Sequence, residues 1–254
     1  MRINRKTPLL FALFISIFSL ILNAPLFSQF LLEEDSTEYR FYMGVSCGYA
    51  NNTLYLSNPQ QESPGRKWKS GGGVAVSVPL RYRLLNSVAI QLEPTYIQKN
   101  YSWNEARSGL PETHEDTRND FINFPVMLNL SIYFGSGIRI FVNGGGYYGY
   151  WLAGHEKGIT LTIDEEPYDY NEDYKFDDIR DNRYEYGLSY GGGIQYDLKF
   201  MSVYIELRGS HGLSDLQKNY YTNYFTEKKN DTWTLQFAAI FNTALISFIK
   251  GEAL

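Results

Sequence analysis

Long runs in which apolar and polar side chains alternate, connections that are by turns long and short, and an aromatic content of 17% predict an all-β fold. The form they predict is an eight-stranded antiparallel transmembrane up-and-down β-barrel with its apolar face outward. The clearest stretch is Asp120 to Leu152. Ile122, Phe124, Val126, Leu128, Leu130 and Ile132 fill every second position, with Phe121, Asn123, Pro125, Met127, Asn129 and Ser131 between them. That is the period of side chains on a pleated strand. The small turn Gly135-Ser136-Gly137 and a second run of similar length complete a hairpin well beyond an average soluble strand of about five or six residues.

A mean hydropathy of -0.33 would ordinarily suggest a soluble chain. A membrane barrel keeps a low average because half of each strand is polar and its outer loops are hydrophilic, so the 22 Tyr and 16 Phe say more. Such barrels gather aromatics at both membrane interfaces. Residues 1–29 read as a signal peptide, with Arg2, Arg5 and Lys6 ahead of the apolar run Leu9 to Leu22 and small residues at Ala24 and Ser28. The apolar core is shorter than the roughly 20 residues a spanning helix needs. A short periplasmic linker over 30–38 and the barrel over 39–254 follow. Removing the leader's three cations takes the formal charge from -5 to -8, which argues against nucleic acid as a partner. Cys47, the single cysteine, excludes an intramolecular disulfide and falls on an apolar strand face.

Taken in order, the first strand runs from Tyr39 to Asn51, with Phe41, Met43, Val45, Cys47 and Tyr49 on one face. The second spans Trp68 to Leu80 and a short turn covers Arg81 to Ser87. Strand three runs from Val88 to Tyr101, the hairpin already described supplies strands four and five, and strand six covers Arg183 to Tyr196. Strand seven spans Met201 to His211 and strand eight begins at Asp231. Long loops are expected near 52–67, 102–119, 153–182 and 212–230, all on one side, with short turns opposite. Pro79, Pro94 and Pro125 fall inside these strands, where a closed barrel leaves no edge to hide a missing N–H.

Several short motifs resemble the PorT-type outer-membrane β-barrel protein family: Leu92-Glu93-Pro94-Thr95-Tyr96 with Gln98-Lys99; Asn123-Phe124-Pro125-Val126-Met127-Leu128; Tyr186-Gly187-Leu188 with Gly191 to Gly193; and Ile205-Glu206-Leu207-Arg208 with Gly212-Leu213-Ser214-Asp215. The resemblance implies an integral barrel of the Gram-negative outer membrane, exported through a cleaved signal peptide. One branch of that family is associated with a protein-secretion and surface-attachment system, so the implied partners are outer-membrane lipid and other envelope or secretion proteins around a monomeric barrel.

Two stretches are candidates for function. On the inward face, Gln91, Glu93, Asn129, Glu185, Gln195, Glu206 and Arg208 are expected to form a polar network, either as packing of a filled lumen or as the lining of a small-solute path. The second is the loop Ala153 to Asn182, with ten acidic and three basic residues. Its Asp164, Glu165, Glu166, Asp169, Asp173, Asp177 and Asp178 are expected to face outward and meet a cationic partner, aided by Tyr168, Tyr170, Tyr174 and Phe176. The stretch from Asp169 to Asp173 begins like a calcium loop, but Tyr174 stands where glycine is needed and Arg180 where the closing carboxylate belongs. His114, His155 and His211 lack ligand spacing, and the glycine triplets precede no helix that would hold a phosphate. No catalytic residue, cofactor or metal is therefore expected. Two functions stay open: a non-enzymatic structural or interaction barrel, for which the resemblance implies a place as a component of a secretion or surface-assembly system, and a porin-like small-solute conduit.

Overall fold

The computed structural model describes residues 40–57, 65–106, 109–198, 200–218 and 227–242. Its strands are β1 (Phe41–Leu56), β2 (Arg66–Ser77), β3 (Leu80–Leu85), β4 (Val88–Leu92), β5 (Thr95–Gln98), β6 (Tyr101–Glu105), β7 (Thr113–Tyr133), β8 (Ile138–Leu161), β9 (Pro167–Asp173), β10 (Tyr184–Asp197), β11 (Met201–Gly212) and β12 (Lys228–Asn242). β2 with β3 makes one stave of the barrel, β4 with β5 and β6 another. Together with β1, β7, β8, β10, β11 and β12 they form a ring of eight antiparallel staves. β1 pairs with β12 from Tyr42↔Asn242 to Leu56↔Lys228 and closes the ring. Closure leaves no barrel edge unpaired.

The barrel is inside out relative to a soluble protein. Val45 is 62% exposed and Phe237 58%, whereas Gln91, Glu93, Glu185 and Glu206 are completely enclosed. A continuous outward band of that kind fits lipid and would be an aggregation hazard in water. Tyr49, Tyr148, Tyr184, Tyr186 and Trp233 edge the band at one end, and Tyr82, Tyr133, Phe134 and Tyr196 at the other. The second end carries the short turns. One is Gly135-Ser136-Gly137, where all three residues take positive φ. A Cβ on Gly137 would lie 2.8 Å from the Asp197 carbonyl oxygen, so the tight turn needs the glycine there.

The prolines are accommodated in two ways. Pro79 lies in the break between β2 and β3 and Pro94 in the break between β4 and β5. Their carbonyls still accept bonds across the gap, from Gly44 N and Val78 N respectively. Pro125 stays inside β7, paired opposite Tyr147, and its carbonyl accepts from Glu93 N at 3.1 Å.

Several expected boundaries are corrected. The proposed turn Arg81 to Ser87 is mostly strand β3, which pairs with β4 and turns Arg81 and Arg83 into the lumen. The strands also run on where loops are expected. β6 and β7 continue through much of 102–119, β8 reaches Leu161, and β9 forms a hairpin with it inside 153–182. Beyond the lipid the outward face turns polar, so the apolar alternation stops while the backbone ladder continues. Residues 1–29, the linker 30–38 and the chain after 242 lie outside the described residues.

Candidate functional site

The lumen holds two polar networks stacked along the barrel axis. In the first, Arg208 on β11 stands between two carboxylates. Its Nη2 donates to Glu93 Oε2 at 2.7 Å and its Nε to Glu206 Oε1 at 2.7 Å. Glu93 also accepts from Ser77 Oγ and Gln91 Nε2, each at 2.6 Å, and Glu206 from Asn143 Nδ2 at 3.0 Å. The chain continues toward the short-turn end: Arg81 Nε donates to Gln91 Oε1 and its Nη1 to Gln195 Oε1, while Gln195 Nε2 donates to Asp197. Asp197 in turn pairs with Arg139 at 2.5 Å.

The second network lies nearer the long-loop end. Lys99 Nζ donates to Glu185 Oε2 at 2.6 Å, and Tyr147 OH to Glu185 Oε1 at 2.8 Å. The ammonium also sits 4.7 Å from the centroid of Phe121 and 5.0 Å from that of Tyr147, a cation–π arrangement in an enclosed place. Buried charges are tolerated when paired and hydrogen-bonded. Each carboxylate of the two networks has a cation and further donors, while Arg81 Nη2 has no hydrogen-bond partner and its guanidinium lies 5.2 Å from the centroid of the Tyr204 ring.

Above them an aromatic layer closes the barrel. Trp151 stacks on Phe121 at 5.7 Å and on Tyr174 at 5.2 Å, and Phe176 meets Trp151 edge-on at 5.0 Å. Leu54, Leu56, Ile97 and Leu216 pack into the same cluster. Residues 174–182 therefore form a strap across the mouth. Asp181 fastens it, accepting from Arg180 Nε at 2.8 Å, Tyr174 OH at 2.9 Å and Asp177 N at 2.8 Å. Those donors hold its carboxyl below the ordinary aspartate range against the opposing effect of burial. Asn182 N and Lys218 N then tie the strap to residues 216 and 180 across the following connection.

Of the expected lumen residues, Gln91, Glu93, Gln195, Glu206 and Arg208 come together in the first network and Glu185 lies in the second. Asn129 is buried on the same face, but its Nδ2 has no hydrogen-bond partner within the protein. Sequence reasoning missed Arg81, Lys99 and Arg139. Lys99 shares the parity of Gln91 and Glu93, so that signal was present; Arg81 was hidden by the assumed turn.

The acidic stretch is correspondingly more structured than a free loop. Asp164, Glu165 and Glu166 occupy the exposed tip of the β8–β9 hairpin, where Glu165 has φ 63° and Thr162 Oγ1 accepts from Glu166 N. Asp169 and Asp173 lie exposed on β9, and Asp177 and Asp178 on the strap. The aromatics expected to serve a partner are mostly engaged already: Tyr174 and Phe176 pack on Trp151, and Tyr170 OH donates to Glu115 at 2.7 Å. Tyr168 alone is well exposed, at 57%. On the outward side of the hairpin, His155 faces Asp173 through Nδ1 at 2.9 Å and Asn171 through Nε2 at 2.6 Å. Two acceptors on one ring favour the doubly protonated form, and the histidine pKa is raised accordingly.

Residues 27–218 match the family described as the outer membrane protein beta-barrel domain, and the chain belongs to that family. It is thus an outer-membrane β-barrel protein, and its strap and hairpin lie on the long-loop side. Among solved structures it is similar to the outer membrane protein OprG of Pseudomonas aeruginosa, at 12% identity and a TM-score of 0.46, over 80% of this chain and 96% of that one. It is also similar to Neisserial surface protein A, at 10% and 0.39, over 79% and 96%. The outer membrane protease OmpT of Escherichia coli matches at 9% and 0.46, over 83% and 99%. These likenesses concern the fold alone. No match was found among curated proteins.

Proposed function

We propose that this protein is a non-enzymatic outer-membrane barrel that works through its extracellular face as a structural or interaction component of the envelope. The observation that carries the reading is the filled lumen: two hydrogen-bonded charge networks and an aromatic layer lie in series along the axis. A scaffold so occupied leaves its exposed outer segments as the place for recognition. The acidic hairpin tip at Asp164, Glu165 and Glu166, with Asp169, Asp173, Asp177 and Asp178 beside it, suits a basic protein surface or another cationic partner. The PorT-type motifs support a place in a secretion or surface-assembly system, and the first 29 residues support export through a cleaved leader.

The test is binding of the purified, detergent-solubilised protein to immobilised polylysine across a salt series. Affinity is expected to fall as salt rises and to drop on neutralising Asp164, Glu165 and Glu166 to Asn and Gln. Binding indifferent to both would defeat the reading.

One observation favours the alternative, a small-solute conduit. The periplasmic mouth opens on a cavity of about 530 Å³ lined by Arg83, Arg139, Tyr42, Tyr196 and Asp197, among others. Planar-bilayer recording separates the two ideas. Reproducible single-channel steps from the native protein, lost on Arg139→Ala, would establish the conduit instead.

A further inference from the structure

We propose that the extracellular strap and β9, residues 168–182, are released from the barrel by rising pH, and that Glu156 is the group whose loss of a proton releases them. Glu156 lies on the inner face of β8, above the aromatic girdle that marks the membrane. It is paired across the sheet with Thr117 of β7 on one side and with Glu172 of β9 on the other.

Every element packed around it brings charge or a titratable group. β7 contributes Glu115, β6 contributes Tyr101, and β9 contributes Glu172 and Tyr170. The strap contributes Asp181 and Arg180, with Tyr174 bonded to both. Arg66 of β2 reaches toward Tyr170 from farther round the ring. The cation that offsets this charge, Arg180, is itself bonded within the strap: Nε and Nη2 bind Asp181 at 2.8 and 3.1 Å, and Nη2 also reaches Tyr174 OH at 2.6 Å. Glu115 is equally occupied, accepting from Trp103 Nε1, Thr117 Oγ1 and Tyr170 OH.

An ionised Glu156 would thus add one more negative charge to a half-buried place that already faces Glu115, Glu172 and Asp181. Half-burial and the neighbouring carboxylates push its pKa up to about 7. The charges also divide along the seam. Glu115 and Glu156 belong to the barrel wall, Glu172 and Asp181 to the segment lying over it. Like charges directly opposite on paired strands are destabilising, so lifting that segment away relieves the repulsion. The sign follows from linkage: a carboxyl whose closed-state pKa lies above its free value near 4.3 stabilises the closed state at low pH. That contribution fades as pH rises through about 7.

The experiment is hydrogen exchange of the amides of 168–182, read by mass spectrometry on the full chain in lipid nanodiscs and corrected for the intrinsic pH dependence of exchange. Between pH 5.5 and 8.5 the opening equilibrium is expected to rise about tenfold, less than full enclosure would give because water screens a half-exposed group. Glu156→Gln should hold the segment closed at both values. Glu115→Gln removes a neighbouring charge and should move the midpoint to lower pH. An opening equilibrium equal at both pH values, or the same rise in Glu156→Gln, would overturn the proposal. Should Glu156→Gln fail the heat-shifted gel test of insertion, the second variant decides: an unmoved midpoint in Glu115→Gln overturns it as well.

Discussion

Lys99 Nζ and Glu185 Oε2 lie 2.6 Å apart with both side chains wholly shielded from solvent, joining the third stave to the sixth across the lumen. The pair is a strut, and its energetics follow from what is left when one end is removed. Lys99→Met leaves an uncompensated buried carboxylate and should destabilise the barrel by about 3–5 kcal/mol. Glu185→Gln in the same chain should restore most of that loss. Urea titration followed by gel mobility reads both; equal stability of the single and double variants would show that the pair does not act as a unit.

The glycine triplet at 144–146 makes a sharper contrast, because neighbouring positions face opposite ways. A Cβ at Gly145 would stand 2.0 Å from the Val126 carbonyl oxygen, within the ladder between β7 and β8. At Gly144 it would meet nothing within 4 Å. Gly145→Ala should therefore impair assembly into the heat-modifiable form, and Gly144→Ala should be tolerated. Equal yields of folded protein would show that the staves can part locally to admit a methyl group.

Phe176 tests the aromatic layer. Truncating a fully buried phenylalanine costs about 3–5 kcal/mol, and this one is only partly covered, so Phe176→Ala should cost about 1–2 kcal/mol. The loss should appear as faster exchange in 174–182 with little change in global unfolding, since the strap lies outside the ring of staves. A matching drop in global stability would mean that strap and barrel unfold together.

Asp181 gives the strap an acid limit to set beside the alkaline one. Its carboxyl pKa is lowered in the folded protein, so its contribution is complete above the free value of about 3.9 and is lost as pH falls through the lower folded value. Strap protection should thus fall below about pH 4, and Asp181→Asn should reduce protection at pH 6 while leaving much less acid dependence. Unaltered protection at pH 6 in that variant would remove Asp181 as the fastening.

Much of this protein was legible in the chain itself. Ile122 to Ile132 and Val203 to Leu207 alternate because each strand lies between lipid and lumen, and such a two-residue period is a local property that needs no knowledge of the partner strand. The same parity put Glu93, Glu206 and Arg208 inside. Where lipid ends, that signal ends too, and the sequence reading stopped short of β6, the upper part of β8 and all of β9.

Which charges meet is a different kind of fact. Arg208 finds Glu93 from 115 positions away, and Lys99 finds Glu185 from 86. Those meetings depend on how far each stave is staggered against the next when the ring closes. Stagger is a sum over all eight staves, so only the tertiary structure decides it. The same closure brings Tyr174 and Phe176 onto Trp151 and sets Glu156 against Glu115, turning what reads along the chain as a solvated acidic loop into a seated strap.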